Sequence, residues 1–107
     1  MKIPELTHLQ FAVLDILGGV ERPGWLIRDK LAEVGEKKTL PAFYQMMARL
    51  EDAGFVKGEY YKVEVDGHPV NERRYKITGH GIKAVQKALE FYIDRARVAV
   101  GKRGAVQ

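Results

Sequence analysis

The chain has 107 residues, room for one small domain with a core of its own, and its 46% hydrophobic and 30% charged residues strike a globular balance. Zero cysteines exclude a disulfide framework, a cysteine nucleophile and thiolate metal sites. The net charge of +4 suits an anionic partner, but residues 79–107 hold six cations against two carboxylates and carry all of the excess, so any nucleic-acid reading rests on where individual cations sit.

No apolar run approaches the roughly 20 residues of a membrane span. The opening Met-Lys-Ile-Pro lacks the apolar stretch and cleavage site of a secretory signal. A cytoplasmic protein with no membrane partner is expected.

Leu6 to Leu17 reads as a helix capped by Thr7 and ended by Gly18-Gly19. Its apolar residues, among them Leu9, Phe11, Val13, Leu14 and Leu17, cover more than one side, which predicts a second covered surface. Pro23-Gly24 opens a second helix to about Val34, with Ile27 and Leu31 on one face. The turn Gly35-Glu36-Lys37-Lys38 leads into the stretch around which the chain is organised, Thr39 to Val56. There Phe43, Met46, Met47 and Leu50 form one stripe at helical spacing, while Tyr44, Gln45, Ala48 and Arg49 spread over the rest. Thr39 caps this helix, Pro41 fits its first turn and Gly54 takes its left-handed ending.

From Val56 the pattern alternates. Tyr61, Val63 and Val65, then Arg73, Tyr75 and Ile77, predict a two-stranded hairpin. Residues 66–71 are longer than a two-residue turn, so the tip is expected to be a loose loop holding Pro69 outside any paired strand. Thr78 caps a last helix reaching about Val100, and residues 101–107 are expected to be a flexible basic tail. Ile82, Val85, Leu89, Tyr92, Ala96 and Ala99 recur at steps of three and four. A helix of about 22 residues is roughly 33 Å long at ~1.5 Å per residue, more than this core can cover. It is therefore assigned to a two-fold homodimer, with Leu9 and Val13 of the first helix as the other half of the interface. The competing reading lays it over its own domain.

The expected fold is mainly α with a two-stranded β-wing: a winged helix-turn-helix over 1–78 and a dimerisation helix over 79–100. On such a frame Lys37, Lys38 and Thr39 lie at the start of the third helix, Tyr44, Gln45 and Arg49 along it, and Arg73, Arg74 and Lys76 on the returning strand. Together they are the candidate DNA-binding set. Gln pairs with adenine and Arg with guanine in the major groove; Lys37, Lys38, Arg74 and Lys76 suit phosphates. Tyr44 either holds a phosphate or covers the edge of the core. Trp25, the only tryptophan, is core filler, a lid over the core, or the border of a ligand pocket at the dimer seam with Phe91 and Tyr92. His8, His68 and His80 lack ligand spacing, so no metal is assigned. No phosphate-binding loop, nucleophile elbow or apolar carboxylate pair is present, and neither catalysis nor a cofactor is expected.

Three blocks carry a family resemblance: Gly24-Trp25-Leu26-Ile27; Phe43-Tyr44-Gln45-Met46-Met47-Ala48-Arg49-Leu50-Glu51-Asp52-Ala53-Gly54-Phe55-Val56; and Arg74-Tyr75-Lys76-Ile77-Thr78-Gly79-His80-Gly81. Over roughly Leu6 to Val98 the chain resembles the PadR-like winged-helix transcriptional regulators, in the short form with one C-terminal helix. The resemblance implies a dimeric repressor with its third helix in the major groove of double-stranded DNA and its hairpin on the adjacent backbone. It also implies a response to small aromatic or cationic effectors at the dimer seam. Trp25 stands where the family has Tyr, and Gln45-Met46 where it has Pro-Ala, which alters the residues offered to bases. The rival from another class is a winged helix used for protein contact without sequence-specific DNA binding.

Overall fold

The computed structural model describes the backbone of residues 2–106 and side chains 2–101. Elements follow in the order α1 (His8–Leu17), β1 (Arg22–Pro23), α2 (Gly24–Glu33), α3 (Leu40–Asp52), β2 (Val56–Val65), β3 (His68–Ile77) and α4 (Gly79–Val106). The caps are local chemistry. Thr7 accepts from the Gln10 amide at 3.1 Å while the Gln10 side chain accepts from the Thr7 amide at 3.0 Å, a reciprocal box that satisfies two otherwise orphaned donors. Thr39 accepts from the Ala42 amide at 3.4 Å and Thr78 from the Gly81 amide at 3.0 Å.

The core lies where α1, α2 and α3 meet the base of the sheet. Val13, Leu14, Leu17, Ile27, Leu31, Phe43, Met47 and Leu50 are fully buried, joined by Leu6, Phe55, Val56, Tyr75 and Ala88. Phe43, Met47 and Leu50 are the expected α3 stripe, with Met46 half-buried beside them. The breadth of the apolar surface on α1 has an internal explanation, because Leu6, α2, β3 and α4 surround it. Val13 is 0% exposed in its own core, which removes it from the expected dimer surface. Leu9 is half-buried against the same cluster.

The sheet has three strands in the order β1-β3-β2, all antiparallel. The two-residue β1, pairing Arg22 with Tyr75 and Pro23 with Arg74, adds a strand to the expected wing. The hairpin tip also differs from expectation. Asp66 and Gly67 form a tight two-residue turn, at φ 52° and 78°, and Pro69 sits inside β3 opposite Glu64. In such a turn both central residues need positive φ, which glycine adopts freely. The closing pair, Val65 and His68, takes the hydrogen bonds, so its neighbour Pro69 falls at a non-bonded position and gives up no ladder bond.

The helix α4 is 28 residues long, about 42 Å at ~1.5 Å per residue, and the molecule measures 65 × 26 × 22 Å. Only its beginning packs on the domain, through Gly81, Ala84, Val85 and Ala88, so Val85, expected at the dimer surface, is instead turned to its own core. Beyond it Leu89, Tyr92, Ile93, Val98 and Val100 are exposed, so the helix does not lie over its own domain. Its backbone continues to Val106, past the expected end near Val100, and the side chains of the expected basic tail from residue 102 on lie outside the described residues. No helix among the described residues is long and apolar enough to cross a membrane.

Candidate nucleic-acid interface

The buried stripe of α3 fixes what its other side can present. At ~100° per residue, Pro41, Gln45, Ala48, Arg49 and Asp52 point away from Phe43 and Leu50, and all five are exposed. Tyr44 is at the margin, 39% exposed, its ring edge-on to Phe43 with centroids 5.3 Å apart and its hydroxyl close to Gly24 at the start of α2. Tyr44 thus covers the core edge, with its hydroxyl turned toward α2.

The turn before α3 is held by a residue that periodicity does not single out. Arg28 Nε donates to the Lys38 carbonyl at 2.9 Å, tying α2 to the start of α3 and setting where Lys37, Lys38 and Thr39 emerge. Lys37 and Thr39 are exposed and Lys38 half-exposed. None of the four ion pairs among the described residues involves Lys37, Lys38, Arg49 or Lys76.

The two wing arginines are placed differently from the expectation. Alternation along β3 puts Arg73 on one face of the wing and Arg74 and Lys76 on the other. Arg73 Nη2 donates to Glu51 Oε1 of α3 at 2.6 Å, and its guanidinium lies over the Tyr60 ring at 4.5 Å and the Tyr75 ring at 5.7 Å. Arg74 Nε donates to Glu72 Oε2 at 2.7 Å and stacks on Tyr61 at 4.4 Å. Each arginine is therefore held by a carboxylate of the chain itself, and only Lys76 of this trio is an unpaired, exposed cation. Burial pushes the Tyr75 hydroxyl up to about 12.

Trp25 is 56% exposed and is not core filler. Its indole Nε1 donates to Glu72 Oε1 at 2.9 Å, joining the start of α2 to the wing. The Arg74 hydrogen bond, helped by this indole, holds the Glu72 carboxyl below the usual carboxylate range. Tyr61 donates to Glu21 Oε2 at 3.0 Å, and that bond raises its pKa. Phe91 and Tyr92 lie elsewhere, packed edge-on to each other on α4, with Tyr92 6.2 Å from the His8 ring. Within one chain, the expected Trp25, Phe91 and Tyr92 pocket is not brought together: the open cleft at Trp25 is bordered by Glu21, Pro23 and wing residues.

No protein-family model matches the sequence, and no curated protein is similar to it. Solved structures do share its architecture. RosR of H. salinarum is 26% identical, with a TM-score of 0.64 over 96% of this chain and 97% of that one. A PadR family transcriptional regulator from Eggerthella lenta is 24% identical, with a TM-score of 0.63 over 88% of this chain and 79% of that one. Bacillus subtilis PadR in complex with operator DNA is 21% identical, with a TM-score of 0.62 over 78% of this chain and 47% of that one. The chain has the PadR-like fold. In this PadR-like frame α2 and α3 are the helix-turn-helix, β2 and β3 the wing, and α4 the single C-terminal helix.

Proposed function

We propose that this PadR-like chain is a DNA-binding transcriptional regulator without enzymatic activity. The observation that carries the reading is the exposed side of α3, where Gln45 and Arg49 stand a turn apart, unpaired, behind Lys37 and Lys38 at the helix start. Gln45 and Arg49 read base edges in the major groove of double-stranded DNA. Lys37, Lys38 and Lys76, with Thr39 and the Tyr44 hydroxyl, take phosphates and fix register. Arg73 and Arg74 act indirectly, by bracing the wing.

The regulator works as a homodimeric repressor on an inverted repeat, its two-fold built on the uncovered stripe Ile82, Leu89, Tyr92, Ile93 and Ala96 of α4, with Leu9 at its edge. Small aromatic or cationic effectors act at the seam between the two chains, where Phe91 and Tyr92 of α4 lie. Operator DNA in the Bacillus subtilis PadR complex supports the DNA reading.

The test is the affinity for duplex DNA from upstream of its own gene against a scrambled duplex, over a range of salt. Specific binding is expected to be at least ~10³-fold tighter, with a steep salt slope. Lys37→Ala or Lys38→Ala should weaken both duplexes alike and reduce the slope by about one, whereas Arg49→Ala should cost ~1–3 kcal/mol on the native duplex alone. Weak binding to both duplexes, insensitive to salt, would instead favour a protein-contact module.

A further inference from the structure

A groove of about 380 Å³ opens between the N-terminal segment and the first turns of α4, within the ~300–1,000 Å³ span of small-molecule sites. Half-buried Pro4 and Ala84 give it an apolar floor, Ile3, 79% exposed, forms an uncovered apolar wall, and Lys2, Lys83 and Lys87 stand around it with His80. Glu5 and Glu90 also reach it, yet none of the four ion pairs among the described residues joins any of these five charges. The lysines outnumber the carboxylates and are not neutralised by them. Their aliphatic stems extend the apolar wall while the ammonium heads remain at the rim.

We propose that this groove binds a small carboxylate with an unbranched aliphatic body. The tail lies along Ile3, Pro4 and Ala84, and the carboxylate sits between Lys83 and Lys87, neighbours at i and i+4. Ammonium donors make charge-assisted hydrogen bonds to a carboxylate. An inorganic anion would use the rim and leave the floor wet, and a cationic ligand would meet three lysines. A duplex backbone could touch the same lysines, but it has nothing to place on the floor.

The site is independent of the surfaces assigned above. At ~100° per residue, His80 and Lys87 fall on the side of α4 away from Ile82, Leu89, Ile93 and Ala96, with Lys83 and Glu90 at the margin between the two. A second chain seated on that apolar stripe leaves the groove open. One wall nevertheless reaches the frame of α3: the His80 ring stacks on Phe55 with centroids 5.0 Å apart and lies against Gly54, the residues that follow the end of α3. A ligand that moves His80 bears on the end of α3. That consequence rests on the function proposed above; the binding itself does not.

Isothermal titration of the full chain with sodium octanoate tests the site, with 1-octanol as the uncharged control. The variant is Lys83→Gln with Lys87→Gln, both exposed side chains whose loss leaves the core intact. Saturable one-site binding is expected, weakened at least ~10-fold both in the variant and for octanol. Absence of saturable octanoate binding, equal binding of octanol, or unchanged affinity in the variant would overturn the proposal. The affinity of the unliganded chain for duplex DNA is a separate measurement, so failure here and failure of the regulator reading are told apart.

Discussion

Replacing Gly81 by alanine should destabilise the protein although it introduces a better helix former. Gly81 is buried in the first turn of α4, and a Cβ built on it would press into the Phe55 carbonyl and come within 2.8 Å of Ile77 Cγ1. Phe55 presents backbone there, fixed by the bond from the Thr78 amide to its carbonyl at 3.0 Å, so it cannot swing aside as a side chain would. Overpacking of this kind costs ~1–3 kcal/mol, and exchange of Gly for Ala within a helix returns ~1 kcal/mol. The net expectation for Gly81→Ala is a loss of up to ~2 kcal/mol. Gly79, two residues earlier, has nothing within 4 Å of its Cβ position, so Gly79→Ala should be neutral or stabilising by up to ~1 kcal/mol. Urea unfolding followed by circular dichroism reads both variants as shifts of midpoint at constant slope. A Gly81→Ala protein as stable as Gly79→Ala would refute the close approach of α4 to Phe55.

Two further outcomes follow from the wing and from α4. Trp25 is the only tryptophan, and its bond to Glu72 makes its emission a reporter of that carboxylate. Because Glu72 titrates below its ordinary value of 4.5 when folded, the stability it contributes is present above that value and is lost as pH falls through the lowered one. The emission should change with a midpoint below 4.5, and Glu72→Gln should abolish that step; a midpoint at or above the ordinary value would contradict the pairing. Leu89→Glu with Ile93→Glu, at positions 45% and 46% exposed, should leave the helical spectrum unchanged and yield a monomer in sedimentation equilibrium, whereas the parent chain is expected to sediment as a dimer. A dimeric variant would remove α4 from the interface.

What the sequence showed plainly was what neighbouring residues decide among themselves. Thr7, Thr39 and Thr78 cap the helices they precede, since a cap needs only a side-chain oxygen and the next turn of backbone. The α3 stripe was equally legible, and Phe43, Met47 and Leu50 are all fully buried. Registers and partners were not. Pro69 reads as a strand breaker until the two-residue turn at Asp66-Gly67 fixes which pairs exchange hydrogen bonds. Residues 22 and 23 have no strand pattern of their own and are a strand only because β3 runs beside them. Val13 resembled an interface residue because the sides of α1 that meet α4 and Leu6 cannot be counted from α1 alone. Arg73 and Arg74 looked alike in sequence, yet the pleat sends them to opposite faces and to different carboxylates, Glu51 and Glu72.

Those two arginines change how mutations in the wing must be read. Each guanidinium is a flat plate stacked on a tyrosine ring and anchored by one of its N–H donors to a carboxylate, and lysine, with a compact ammonium on a flexible stem, can supply the charge but not the plate. An arginine-to-lysine exchange therefore leaves the electrostatic field almost untouched while loosening, at Arg73, the joint between hairpin and α3 and, at Arg74, the packing of the hairpin itself. In this wing, charge and stiffness are separable quantities, and the conservative substitution is the one that measures stiffness.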